Sequence, residues 1–369
     1  MVRNVNHKKK TIVISAINLR SGGTLSILQD CLLFLQRQKL DDYRVIALVH
    51  EKNVLPVFEG IEFIEFPHSV KNYFIRFYYE YYYFKQLSEE LNPYLWLSLH
   101  DMTPSVKAEV RAVYCHNPAP FYKLCWQQVY LDPKFTLFNL FYKYIYKINI
   151  KENDYVIVQQ GWLREKFKEL FNISSVLVSY PENEHHYDIE NLSNDKYRFF
   201  FPTLPRSVKN IEVIIDAVRQ LNKQENKQFE VLITIDGSEN SYAKRMVNYA
   251  GGISNIKFVG QIPRQTVFDL YGKTNCLIFP SRLETWGLPI TEFKNTQRPM
   301  LVADLPYAYE TVGDYEKVSF FQPDNPTQLA QFMSEVILEQ HQFSGNKAVQ
   351  VDHPFAENWS DLFGILLKE

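Results

Sequence analysis

The sequence predicts an α/β protein of two doubly wound domains, and three observations carry that expectation. At 369 residues the chain is long for one domain and suits two of ordinary size. Its first fifty residues read strand, glycine loop, helix, strand, which is how a doubly wound domain opens. A polar run through Lys196 interrupts the pattern, and the same alternation restarts at Arg198. The expected division is residues 1–182 for a first domain, 183–350 for a second and 351–369 for a closing helical segment.

In the first domain, residues 11–18 read as a strand, 19–24 as a loop holding Gly22 and Gly23, and 25–38 as a helix. Gly22-Gly23 lacks the G-x-G-x-x-G spacing of a dinucleotide site, yet two adjacent glycines let the backbone approach a ligand closely. A plain strand-to-helix turn is the other reading. Residues 43–50, 61–66 and 94–99 are further strands. Residues 70–87 form a helix with aromatic faces, and 121–150 a second aromatic stretch carrying Lys123, Lys134, Lys143 and Lys147. Such helices either dip into a bilayer interface or make core and subunit contacts, and Glu80 in mid-helix counts against the bilayer. The strand at 111–115 ends in His116-Asn117-Pro118, and the one before it in His100-Asp101. Strand carboxyl ends are where this architecture collects ligand groups, although a lone histidine is more often a satisfied structural one. Strands at 154–159 and 176–179, with a helix at 161–171 between them, complete the domain.

The second domain opens with a strand at 198–202, a loop from Thr203 to Asn210 reading T-L-P-R-S-V-K-N, and a helix at 211–221. Lysine is disfavoured at a helix N-terminus by the dipole, so Lys209 points to a ligand there more than to a solvated surface. The strand at 229–235 closes on Asp236-Gly237, and that at 256–259 on Gly260-Gln261-Ile262-Pro263, ahead of a short helix at 264–271. The apolar run 275–279 reads as a buried strand, and 290–296 as an amphipathic helix. Between them runs P-S-R-L-E-T-W-G-L-P-I-T-E, Pro280 to Glu292. Gly287 frees the backbone, and Pro289 suits a first helical turn, where a missing N–H costs nothing. Exposed N–H groups at such a junction make a ready anion site. Glu284 and Glu292 would repel a phosphate but are well placed to accept hydrogen bonds from sugar hydroxyls on either side of it. That combination suits a nucleotide sugar; the bland alternative is a Pro-Gly loop serving as punctuation.

Read as P-S-x-x-E-x-x-G-L-P-x-x-E, this stretch closely resembles the donor-site signature of the retaining glycosyltransferase family 4, which has the GT-B fold. Residues 302–306 (V-A-D-L-P), 310–314 (E-T-V-G-D) and 321–327 (F-Q-P-D-N-P-T) look like that family's closing segments, in order. The resemblance covers nearly all of the second half and is weaker in the first. It implies two Rossmann-like domains facing across a cleft, with the C-terminal helix crossing back to the first. It also implies retaining transfer of a hexosyl group from a nucleotide sugar to a saccharide acceptor. Surface-polysaccharide assembly on a lipid carrier, as in O-antigen, capsule or exopolysaccharide, is the commonest setting for such enzymes.

Roles follow from the resemblance position by position. Glu284 would hold the transferred hexose and Glu292 the ribose, with Thr285, Trp286, Gly287, Leu288 and Pro289 around the phosphates. Family members usually carry Gly-Arg and then Lys in the loop before the helix at 211; here Thr203 stands at the usual arginine position, so Arg206 is expected to supply that charge beside Lys209. Asp236, Gly237, Gln261 and Ile262 would frame the nucleotide, while Gly22 and Gly23 would lie against the donor diphosphate and the acceptor. His116 is the expected first-domain histidine reaching the sugar, with His100 second; His100, Asp101 and Asn117 are acceptor-side candidates. Glu284, His116 and Lys209 are the expected catalytic set. No D-x-D triplet occurs, which suits metal independence, and no cofactor is expected beyond the donor itself.

Composition bounds the alternatives. An apolar content of 46% with 22% charged residues describes a well-cored globular protein. A net charge of −2 argues against nucleic acid as partner. Residues 1–180 hold 22 Lys+Arg against 17 Asp+Glu, about +5, and the remainder 18 against 25, about −7. A basic first half could meet an anionic membrane or a phosphate-bearing acceptor. Cys31, Cys115, Cys125 and Cys276 have no C-x-x-C spacing and read as buried free thiols. Lys8-Lys-Lys10 precedes a strand rather than a signal peptide, and no uncharged apolar run is long enough to span a bilayer. The expected location is cytoplasmic, with peripheral contact at the inner membrane face open. Three rivals stand: a sugar-nucleotide epimerase, which needs no acceptor; a nicotinamide oxidoreductase, which lacks its glycine fingerprint; and a non-catalytic nucleotide-sugar binder.

Overall fold

Strand signals separated by helical ones leave parallel sheets as the economical way to pair the strands, and two such sheets are present. The structure is a computed structural model describing residues 9–38, 42–124, 132–182, 187–190, 192, 196–222 and 228–368. Lys8, Cys125, the side chain of Lys134 and much of the expected linker at 183–196 lie outside the described residues.

The first sheet contains β1 (Lys10–Ala16), β2 (Tyr43–Val49), β3 (Ile61–Glu65), β4 (Leu95–Ser98), β5 (Val110–Tyr114), β6 (Tyr155–Val158) and β7 (Val176–Ser179). The second contains β8 (Tyr197–Phe201), β9 (Phe229–Ile233), β10 (Ile256–Phe258), β11 (Cys276–Phe279), β12 (Met300–Ala303) and β13 (Val318–Phe321). A short β14 (Phe355–Ala356) returns to the first sheet beside β7, pairing Phe355 with Val178. The orders are β14-β7-β6-β5-β4-β1-β2-β3 and β10-β9-β8-β11-β12-β13. Every pairing is parallel. Each sheet therefore reverses its winding once, between β1 and β4 in one and between β8 and β11 in the other. Such a switch point opens a crevice at the strand carboxyl ends, where doubly wound folds bind ligands.

Burial on both faces explains the nearly continuous apolar runs that mark these strands. In β1, Ile12, Ile14 and Ala16 enter a core shared with helix Gly22–Arg37 and the C-terminal helix Trp359–Leu367. The alternate Val13 points into a second core holding Phe84 and Trp96. Cys31, Cys115 and Cys276 are buried free thiols.

The chain divides into two compact units. Residues Met1–Phe121, Asn139–Glu182 and Val351–Glu369 form one, and Tyr122–Phe138 and Asn183–Gln350 the other. The expected first domain thus loses residues 122–138 to the second unit, a division that falls inside the helix Pro133–Lys147.

Two elements differ from expectation. The first helix begins at Gly22, so Gly22 and Gly23 form its first turn instead of a preceding loop; Gly22 takes a positive φ of 69°. The aromatic helix expected over 70–87 is an α segment Tyr73–Tyr78, a π-helical turn Tyr79–Tyr83 and an α segment Phe84–Leu91. Inside the π turn Glu80 is fully buried, so it does not break the outer face, and the objection it raised to a membrane-facing surface falls.

Candidate functional site

In the second unit the loops leaving β8 and β11 meet at the switch point. After β8, Ser207–Lys209 makes a single 3-10 turn, and Asn210 takes the left-handed conformation (φ 56°) before helix Ile211–Leu221. Asparagine tolerates that conformation through its short polar side chain. Here Nδ2 of Asn210 donates to the carbonyls of Pro280 (3.2 Å) and Pro323 (2.8 Å), while Arg282 Nη2 donates to its Oδ1 at 2.7 Å. Three loops are tied by one amide, and Lys209 is thereby aimed at the loop after β11.

There Lys209 Nζ donates to Glu284 Oε1 in a part-buried ion pair. Gly287 follows at φ 95°, a value a side chain rarely adopts, and opens helix Leu288–Lys294 with no side chain capping it. Pro289 has no N–H and the Ile290 amide donates to the Gly287 carbonyl at 2.9 Å, which leaves the amides of Gly287 and Leu288 as the ones an anion would meet. Trp286 is 5% exposed, and Thr311 Oγ1 donates to its carbonyl. Thr285, Leu288 and Pro289 are partly exposed.

Glu292, expected to meet the ribose, already has protein partners. It is buried, accepting from Tyr271 Oη at 2.9 Å and Arg264 Nη2 at 3.4 Å. Burial raises its pKa, against the pull of Arg264 and Tyr271.

The other positions expected to hold the donor vary. Thr203 is occupied in tying β8 to β9, its N–H donating to Thr234 Oγ1 at 2.6 Å and its carbonyl accepting back at 2.8 Å. Arg206 is exposed just before the 3-10 turn. Asp236 and Gly237 form a tight loop whose amides donate to the Glu239 carboxylate, at 2.9 and 3.0 Å. Gln261 is exposed and Ile262 half-buried.

In the first unit, His100 is 1% exposed. Its Nε2 lies 3.1 Å from Ser15 Oγ and 3.3 Å from Glu80 Oε1, and Arg76 Nη2 donates to its carbonyl at 2.9 Å. Burial drives its pKa well down and keeps the ring neutral. Asp101 likewise acts internally: Tyr146 Oη and Tyr142 Oη donate to its two oxygens at 2.9 and 2.8 Å, and the His116 amide joins them. His116 is only partly buried and stacks on Tyr114 at 4.6 Å; its buried Nε2 has no partner among the described residues. Asn117 turns its side-chain oxygen onto the Ala119 amide at 3.0 Å. Gly22 and Gly23 are exposed.

Sequence reasoning missed Asn210, Arg282, Tyr271 and Arg264. Each works through a tertiary contact 21 to 113 residues away, and no local spacing announces such a contact. Among the described residues no group of three or more His, Cys, Asp or Glu could hold a metal ion, and no helix is long and apolar enough to cross a membrane.

Comparison with known proteins bears on this geometry. Residues 182–350 match the family model described as Glycosyl transferases group 1. No curated protein matches the chain. Among solved structures, sucrose-phosphate synthase from Thermosynechococcus elongatus superposes with a TM-score of 0.65 at 13% identity, covering 90% of each chain. WaaG, a glycosyltransferase involved in lipopolysaccharide biosynthesis, gives 0.64 at 12%, covering 89% of this chain and 90% of that one. A TarM variant from S. aureus, in complex with fondaparinux, alpha-GlcNAc-glycerol and UDP, gives 0.53 at 15%. That match takes in 67% of this chain and only 48% of the TarM chain. The two doubly wound units are those of the GT-B glycosyltransferase fold.

Proposed function

We propose that this glycosyltransferase, whose second unit carries a glycosyl transferases group 1 domain, moves a hexosyl group from a nucleotide sugar to a saccharide acceptor. The transfer retains anomeric configuration, as in glycosyltransferase family 4, and needs no metal. The observation that carries this reading is the Lys209–Glu284 pair beside an uncapped helix start, at the carboxyl ends of β8 and β11. Lys209 and Glu284 satisfy each other's charge. A donor diphosphate would draw Lys209 to itself and leave Glu284 to accept from a hydroxyl of the hexose. Lys209, the amides at Gly287 and Leu288, and Arg206 then stabilise the charge that develops on the leaving diphosphate, preorganised electrostatics of the kind that supplies the largest catalytic term.

The acceptor hydroxyl attacks the anomeric carbon on the face the diphosphate leaves. Its new C–O bond forms as the sugar–phosphate bond breaks, and the departing phosphate oxygen takes the acceptor proton. His116, with Nε2 unengaged, is the first-unit residue proposed to meet the transferred sugar. Glu292 acts on the donor side while Tyr271 and Arg264 hold it in place.

The acceptor proposed is lipid-linked, in surface-polysaccharide assembly on the cytoplasmic side of the membrane. Support for peripheral membrane contact comes from helix Pro133–Lys147 and the aromatic segment from Tyr73 through the π turn. The helix exposes Leu140, Phe141 and Tyr144 beside Lys147, and Phe74 and Tyr82 are 84% and 68% exposed. Apolar and basic groups together suit an anionic leaflet.

The test is a thermal-shift panel of nucleotide sugars, with uridine diphosphate sugars first, followed by product mass on lipid-diphosphate saccharides. Lys209→Ala is expected to fold normally and lose turnover by about a hundredfold or more, the scale for one removed charge-stabilising group. Unchanged turnover in that variant would refute the site.

A further inference from the structure

The first unit has a pocket lined by its own residues. It occupies about 350 Å³ at the carboxyl ends of β1 and β3, within the volume range of small-molecule sites. Asn18, Arg20, Ser69, Lys71, Tyr73 and Arg76 line it, and no carboxylate does so among the described residues. Arg20 and Lys71 are exposed. Arg76 is different: it is 9% exposed, and its Nε has no hydrogen-bond partner among the described residues. Asn18 Oδ1 is buried and equally unpartnered.

The surroundings of Arg76 leave its charge unanswered. Its Nη2 donates to the His100 carbonyl at 2.9 Å and approaches His100 Nδ1 at 3.3 Å, and that ring is neutral. Among the described residues the acid paired with it is Glu80, 3.9 Å from Nε, and neither carboxylate oxygen of Glu80 takes a hydrogen bond. Burial raises Glu80 to about 8, so at neutral pH it is mostly protonated and offers no counter-charge. A buried cation without an anion is a costly arrangement unless a ligand completes it. Two further cations at the mouth leave the pocket with three positive groups, and one open acceptor on Asn18 could receive a hydroxyl.

We propose that this pocket binds a phosphate group carried by the glycosyl acceptor, with Arg76 at its base, Arg20 and Lys71 at its rim, and Asn18 accepting from an adjacent sugar hydroxyl. Only the identification of the ligand as acceptor rests on the glycosyl-transfer reading; the anion site stands on the pocket itself. A guanidinium offers paired donors to phosphate oxygens, and lysine adds a mobile point charge. The phosphate is that of a soluble phosphosaccharide or of a lipid-linked saccharide diphosphate, two sources of one chemistry.

Calorimetric titration of the full chain with inorganic pyrophosphate, with and without saturating UDP, tests the site. Arg76 stays in place, because its burial ties it to folding. The variant is Arg20→Gln/Lys71→Gln. Wild type is expected to bind one pyrophosphate that UDP does not displace, and the double variant to bind it about tenfold more weakly or worse, the loss expected when charge-assisted contacts go. UDP affinity should be equal in both proteins. Equal pyrophosphate affinity in the two proteins, or binding abolished by UDP, overturns the proposal. Failure of UDP to bind either protein would instead count against the nucleotide-sugar reading, and the pyrophosphate contrast would still report on the pocket. Glucose 1-phosphate in solution and farnesyl diphosphate in detergent micelles, run through the same pair of proteins, separate the sources. A tenfold contrast with one of them names the source, and a contrast with neither overturns the assignment to an acceptor phosphate.

Discussion

Asn210 concentrates at one residue what the second unit needs of its loops. Replacing it with alanine removes three hydrogen bonds and places a Cβ-bearing residue without local polar compensation in the left-handed region. The backbone part should cost about 1–2 kcal/mol and the side-chain part a similar amount. Asn210→Gly relieves the first and keeps the second, so urea midpoints should rank wild type, glycine, alanine; an alanine variant as stable as the glycine one would remove the strain argument. At Glu292 folding and binding are likewise coupled. Its alanine variant would strand the buried Tyr271 hydroxyl, at about 1–3 kcal/mol, and so confuse folding with binding. Glu292→Gln keeps the shape, and it is expected to melt within a few degrees of wild type while binding the donor about tenfold more weakly, measured by titration. The motif from Pro280 to Glu292 made both carboxylates legible in sequence, because spacing along one loop and helix is local. What closes around Glu292 was not legible. Tyr271 comes from the previous helix and looks in sequence like one more core aromatic.

At the scale of elements, the strands are legible in the sequence because their apolar runs are set by the sheet alone; 176–179 and the helix at 161–171 fall where the pattern puts them. The aromatic helix was harder. Periodicity locates Glu80 on a helix but cannot show a π turn, and one extra residue per turn changes which side chain faces inward. Buried against Arg76 and His100, Glu80 holds its proton up to about pH 8, whereas the unfolded chain releases it near the ordinary carboxyl value. The folded state therefore binds more protons, and stability falls as pH rises from about 4.5 to about 8, then levels off. At about 1.4 kcal/mol for each unit of pH the loss amounts to a few kcal/mol. Glu80→Gln cannot ionise. Its urea midpoint should stay near that of wild type at pH 5 and exceed it increasingly at pH 6.5 and pH 8. Parallel curves for the two proteins across that range would show the carboxyl to be ionised in the fold, and would also restore a counter-charge to Arg76.

For the whole molecule, charge and exposed apolar surface fall together on the sequence's first half. Residues 1–180 carry about +5 (22 minus 17) against about −7 (18 minus 25) for the rest. The first unit also exposes Phe74, Tyr78, Tyr82, Phe141 and Tyr144. Helix Pro133–Lys147 is two-sided: Tyr142 and Tyr146 turn inward to Asp101, while Leu140, Phe141 and Tyr144 follow helical spacing outward. A helix that spends one face on its own core and leaves aromatics on the other has an unfilled contact to make. Single apolar residues contribute weakly at an interface, and each basic residue near an anionic surface adds about 1 kcal/mol, so binding should require both. Sedimentation with vesicles containing anionic lipid should therefore carry the wild-type chain down at low salt and release it as salt rises, since screening shortens the reach of the charges. Phe74→Ser/Phe141→Ser should lower the bound fraction several-fold at every salt concentration while leaving UDP affinity unchanged. Binding that ignores these two rings, or that persists on vesicles of neutral lipid alone, would mean that the exposed aromatics belong to a protein partner rather than to the bilayer.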